Sequence, residues 1–211
     1  GDNETNDIPN LNIGTICQDA SGAIYFGTGE GFYQGYGTGS RGFEGAGIWK
    51  STDGNTFTRL ESTWSTSESK NTFVYVNKLV AHPTIAGKIF AATNRGVQMS
   101  SDGGATWTNP VLNVADFPIN EFSGDIKISS DGNFLIADLG VNAYVSYEGG
   151  AYGSWEKITG SSEGDLPLNS SRTEFAIAPT NSNIVYAQCT KSDGSLLNVY
   201  RSDNKGQDWY V

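Results

Sequence analysis

The chain has 211 residues with 13 basic and 23 acidic side chains, a net charge of −10, 27 glycines and 12% aromatic residues. That length supports one domain with a real core, and the acidic field argues against a nucleic-acid backbone or an anionic membrane surface as partner. Abundant glycine and aromatics, without any sustained apolar period of about 3.6 residues, exclude a helical protein and point to short strands joined by tight turns.

The first ten residues, GDNETNDIPN, are polar and read as a mature or trimmed N-terminus. Four similar units follow, over residues 11–63, 74–113, 124–160 and 173–211. Each opens with a strand candidate: 13–19, 77–82, 125–129 and 173–178. A short Pro- or Gly-containing turn then leads to a second strand, at 23–27, 88–93, 134–138 and 184–190. A third strand enters a glycine-rich turn, as in GIWKSTDGNTF, GVQMSSDGGATW, AYVSYEGGAYGSW and NVYRSDNKGQDW, and a fourth strand leaves it. The closing aromatics Phe57, Trp107, Trp155 and Trp209 are 50, 48 and 54 residues apart, the length of a four-stranded propeller blade. No apolar run reaches membrane-spanning length.

The turn pattern is Ser-x-Asp-x-Gly-x-Thr-Trp. Unit two matches it in full, with Ser100, Asp102, Gly104, Thr106 and Trp107. Unit one keeps Ser51, Asp53, Thr56 and Phe57 but is one residue short. Unit three has Ser146, Glu148, Gly150 and Trp155 around an insertion, and unit four has Ser202, Asn204, Gly206 and Trp209 with Asp208 in the place of threonine. A short carboxylate accepts backbone N–H bonds inside the turn it closes. Glycine supplies positive φ, and the ring covers the hairpin. These acids are therefore expected to form turns rather than to catalyse.

The motifs resemble the Asp box of the bacterial neuraminidase repeat propellers. IYFGTGEGFY, GIWKSTDG, FVYVNKLVAHP and KIFAATNRGV are most similar to sortilin-like repeat proteins secreted by Bacteroidetes. The resemblance implies an all-β protein: a β-propeller of four-stranded antiparallel blades with Asp-box turns, of which about four are present as part of a larger ring, a closed four-bladed ring being the alternative. It also implies an extracellular or cell-surface location, the periplasm being the other setting. Its relatives include sialidases, xyloglucan-type glycosidases and receptor domains.

Because strands alternate direction, the Asp-box turns and the inner turns share one face of such a propeller. The long loops 28–46, 61–76, 111–124 and 160–172 share the other, where function usually sits. The first loop, TGEGFYQGYGTGSRGFEGA, carries Glu30, Phe32, Tyr33, Tyr36, Arg41 and Phe43. Aromatic faces beside polar groups suit a glycan or a protein ligand; the plainer alternative is a glycine-rich loop capping its own aromatics. The leading expectation is a non-catalytic binding module, and the alternative is a fragment of a glycoside hydrolase of the xyloglucanase or sialidase-like type. Hydrolysis needs two facing carboxylates, and nothing singles out a pair among Glu30, Glu44, Glu121, Asp125, Asp138, Glu163 and Asp165. His82 is the single histidine and no Asp run has calcium-loop spacing, so neither metal nor cofactor is expected. Cys17 and Cys189, on distant blades, are expected to be unbridged.

Overall fold

A computed structural model describes residues 12–34, 41–111, 121–168 and 170–211; the N-terminal segment 1–10 lies outside them. Blade one consists of β1 (Ile13–Gln18) and β2 (Ile24–Thr28), a projecting hairpin of β3 (Glu30–Gln34) and β4 (Arg41–Phe43), then β5 (Ile48–Ser51) and β6 (Thr58–Arg59). Blade two has β7 (Val76–Ala81), β8 (Ile89–Thr93) and β9 (Gly96–Ser100). Blade three has β10 (Ile126–Ile128), β11 (Leu135–Leu139), β12 (Asn142–Ser146) and β13 (Trp155–Lys157), followed by the short parallel pair β14 (Thr159–Gly160) and β15 (Leu166–Pro167). Blade four has β16 (Arg172–Ile177), β17 (Val185–Thr190) and β18 (Leu196–Ser202). Neighbouring strands within each blade pair antiparallel, and the fourth strands of blades two and four are reduced to the single bridges Met99–Thr108 and Arg201–Tyr210.

Successive blades stack face to face, with β1, β7, β10 and β16 innermost, in the manner of a β-propeller. This stacking explains why the second strands look continuously apolar. Covered on both faces, IFAAT of β8 and LIADL of β11 are buried at every residue, where a half-exposed strand would alternate. Three apolar clusters fill the gaps. Tyr25 and Ile48 share one with Ile89 and Ala91; Phe90 and Val97 share the next with Leu135 and Ala137; Ile136 and Val145 share the third with Val185 and Ala187.

The four turns repeat at atomic level. Ser51, Ser100, Ser146 and Ser202 are buried, and each hydroxyl oxygen accepts a glycine N–H, from Gly54, Gly104, Gly150 and Gly206, at 2.8–3.1 Å. Each hydroxyl then meets a turn-closing partner: Asp53 at 2.9 Å, Asp102 at 2.8 Å and Asn204 at 2.8 Å. In blade three Ser154, brought in by the insertion, takes this place at 2.6 Å and Glu148 does not. Despite unequal turn lengths, the residue after each aromatic pairs with the residue before each serine: Thr58 with Lys50, Thr108 with Met99, Glu156 with Val145 and Tyr210 with Arg201. Phe57, Trp107, Trp155 and Trp209 thus hold one equivalent position.

Two elements form where long loops were expected. The loop 61–76 folds into a 3₁₀ turn and a helix, α1 (Ser67–Phe73). It is closed by a capping box in which Thr66 Oγ1 accepts the Ser69 N–H and Ser69 Oγ accepts the Thr66 N–H, both at 3.0 Å. The projecting β3–β4 hairpin is the other, and it shapes the site.

Candidate functional site

The hairpin leaves blade one through a neck of two glycines. Gly29 has φ +88°, and a Cβ there would collide with the Val74 carbonyl; one on Gly45 would collide with the Thr28 backbone. Gly29 N–H donates to the Asn12 carbonyl at 2.7 Å and Gly45 N–H to the Val74 carbonyl at 2.8 Å, fixing the exit direction. The hairpin then reaches across the inner strands. Gly31 N–H donates to Asn77 Oδ1 at 3.2 Å, and Asn77 Nδ2 donates on to the Ser123 carbonyl at 2.8 Å. Phe32 meets Phe122 edge-on at 5.2 Å between ring centres, while the Arg172 guanidinium of blade four lies 3.7 Å from the Phe32 centroid.

Beneath this arm lies a cleft of about 310 Å³ at the loop-face ends of the inner strands. Blade one supplies Gly14 and, through the arm, Glu30 and Phe32; blade two supplies Asn77 and Lys78. Gly124 and Asp125 come from just before β10, and Arg172 and Glu174 from β16, so all four blades contribute.

The acids of the cleft are engaged. Asp125 is 1% exposed; one carboxylate oxygen pairs with Lys127 Nζ and the other accepts the Phe175 N–H of blade four at 2.8 Å. Glu174 pairs with Arg172 at 2.6 Å. Glu30 accepts the Phe32 N–H at 2.5 Å. Lys78, by contrast, makes no ion pair among the described residues. Behind the Gly124–Asp125 wall, Asp138 Oδ1 accepts the N–H groups of Gly124 at 2.8 Å and Asp125 at 2.6 Å. Burial pushes its carboxyl up to about 8, and the charges of Asp125 and Glu174 push the same way, outweighing the two N–H bonds that favour the anion.

Of the candidates in the first loop, Glu30 and Phe32 therefore reach the cleft. Phe43 is 48% exposed and does not line it. Tyr36 lies outside the described residues, as do the side chains of Tyr33 and Arg41. Phe32 is packed between Arg172, Phe122 and Gly124 rather than lying open as a stacking platform. Asn77, Lys78, Arg172 and Glu174 were not legible as site residues, being split between two distant units. Their shared signal is the polar residues at the start of β7 and β16, the ends of inner strands that face the cleft.

Among the described residues no group of three or more His, Cys, Asp or Glu side chains could hold a metal ion, and no helix is long and apolar enough to cross a membrane. Cys17 and Cys189 are both free thiols.

No protein family's sequence profile matches the chain, and no curated protein sequence matches it. Solved structures do. An ancestral GH74 enzyme is 18% identical with a TM-score of 0.65, covering 95% of this chain and 24% of its own. The GH74 xyloglucanase of Xanthomonas campestris is 14% identical with a TM-score of 0.62, over 92% of this chain and 29% of its own. The extracellular domain of a putative hybrid two-component system from B. thetaiotaomicron is 15% identical with a TM-score of 0.59, over 95% and 24%. The chain thus spans only 24–29% of the length of these proteins. At such identities the likeness speaks to architecture, and the architecture is that of a β-propeller.

Proposed function

We propose that the chain is a non-catalytic binding module of a secreted or cell-surface propeller protein, holding a glycan or protein ligand in the axial cleft beneath the β3–β4 arm. One observation carries this reading: the cleft draws on all four blades, yet Asp125, Glu174 and Glu30 each already have a partner within the protein. These contacts tie the carboxylates into the wall of the cleft, and that fixed polar wall, with Lys78 outside the ion pairs of the described residues, suits ligand hydroxyls, carbonyls or a carboxylate. A similar propeller forms an extracellular domain of a putative hybrid two-component system, a setting for ligand capture. The Ser-x-Asp turns are read as Asp boxes with a purely structural role.

A second reading is a piece of a glycoside hydrolase. It is favoured by Asp138, whose carboxyl stays protonated near neutral pH as a proton donor must, and by the GH74 enzymes of similar fold. Screening against soluble polysaccharides and peptides separates the two, with retention and release of reducing ends read in parallel. Capture without new reducing ends is expected. Hydrolysis abolished in Asp138→Asn would replace the binding reading by the enzymatic one.

A further inference from the structure

The turn of blade three differs from the others in a way that frees a carboxylate. In blades one, two and four the residue two after the turn serine folds inward. Besides meeting the serine hydroxyl, Asp53 accepts the Thr56 N–H at 2.8 Å, Asp102 the Thr106 N–H at 2.9 Å and Asn204 the Asp208 N–H at 2.9 Å. In blade three, nine positions separate Ser146 from Trp155, against seven in the turns of blades two and four. The extra length brings in Ser154, whose hydroxyl meets Ser146 and donates to the Ala151 carbonyl at 2.8 Å. Glu148 thereby loses its place inside the turn and stands exposed.

Glu148 lines a second cavity, of about 220 Å³, with Tyr147, Tyr152, Gly153, Ser154 and Glu156. It lies at the ends of the blade-three strands opposite the axial cleft. Its walls are anchored on both sides. The Gly153 N–H donates to the Pro110 carbonyl of blade two at 3.2 Å. The Tyr147 hydroxyl donates to the Lys205 carbonyl of blade four at 3.2 Å, and its ring stacks on Phe134 at 5.8 Å between centres. Burial, and then the nearby charge of Glu156, push the Tyr147 phenol up. Glu148 and Glu156 make no ion pair among the described residues, and Tyr152 holds its ring 62% exposed beside them.

Such a wall selects a cation. Carboxylates and the negative faces of aromatic rings attract positive charge together, and the net charge of −10 concentrates cations around the chain. A metal ion is the poorer match. Calcium takes about six to eight oxygen ligands, and among the described residues no group of three or more His, Cys, Asp or Glu could hold a metal. A quaternary ammonium has no N–H to give the two carboxylates, whereas a primary ammonium has three. We infer that this cavity is a recognition site for a primary alkylammonium group of the lysine side-chain kind, with the ammonium on Glu148 and Glu156 and its alkyl chain along the Tyr152 ring. The inference is independent of what the axial cleft binds.

The test titrates Nα-acetyl-lysine methylamide into the 211-residue chain at constant ionic strength, with binding followed by ligand-observed NMR. Saturable binding is expected, weakened at least about threefold by Glu148→Gln and by Tyr152→Ala, and about tenfold by the two together. Both side chains are exposed and outside the hydrogen bonds of the turn, so unfolding midpoints are expected to stay native. Glu68→Gln, which removes an exposed acid on α1, is the control for net charge and is expected to bind as the native chain does. The same probe acetylated at Nε, and so uncharged, is expected not to bind. Equal binding of the acetylated probe, native affinity in both cavity variants, a loss in Glu68→Gln as large as theirs, or no saturable binding to the native chain would overturn the inference. Competition by calcium chloride at matched ionic strength would also overturn it, by making the site one for a metal.

Discussion

At the scale of single residues, the acids of this protein divide by what surrounds them. The Thr56 and Asn55 N–H groups hold Asp53 down to about 2, and the Thr106 hydroxyl and N–H hold Asp102 down to about 2. Their contribution to stability is complete above the ordinary carboxylate range near 4 and is lost as pH falls toward 2. Asp138 has the opposite sign. Its folded carboxyl titrates at about 8, so the folded state holds a proton that the unfolded chain releases near 4, and stability declines as pH rises between the two. The unfolding midpoint is therefore expected to peak near pH ~5. Asp138→Asn, which keeps an acceptor for Gly124 and Asp125, is expected to flatten the decline between about pH 5 and 8. Thermal scans across that range check both; an unchanged slope in the variant would remove Asp138 as its source.

At the scale of elements, the arm matters most. A Cβ on Gly124 would stand 2.5 Å from Phe32 Cζ and 3.1 Å from Asp138 Oδ2. Gly124→Ala is thus expected to push Phe32 and the arm off the cleft while leaving the blades intact. Its stability loss should be about 1 kcal/mol, because a side chain rather than backbone gives way. Gly29→Ala, at φ +88° and against the Val74 carbonyl, is expected to lose clearly more. Comparative denaturant unfolding orders the two, and the reverse order would place the neck elsewhere. The strands themselves were legible to within a residue or two, because short apolar stretches bounded by Gly and Pro turns leave few placements open. The arm was not. Its glycines look like an ordinary loop until Gly29 and Gly45 are seen crossing at the neck, and that crossing depends on Asn12 and Val74, from other parts of the chain. Helix α1 was missed for a related reason: the pair Thr66 and Ser69 is a weak cap signal among many serines, and Phe73 is ordered by Trp107, 5.2 Å away between ring centres, in the next repeat.

At the scale of the whole molecule, the cleft exists only because four blades converge. Asp125 illustrates this, since its carboxylate ties blade three to the Phe175 N–H of blade four while it forms one wall. The sequence placed Glu30 and Phe32 on the long-loop face, and both line the cleft found there. It could not reveal that Lys78, Asp125, Arg172 and Glu174 meet around the axis, because residues from three units share no local signal. The central claim, capture in this cleft without chemistry, is tested by titrating the ligand retained in the screen into the native chain, Lys78→Ala and Phe32→Ala by calorimetry, with product assayed in the same cell. The expected result is a dissociation constant at least about tenfold weaker in both variants, roughly 1.4 kcal/mol or more, with unfolding midpoints close to native and no product formed. Native affinity in both variants, or turnover in the native protein, would contradict it.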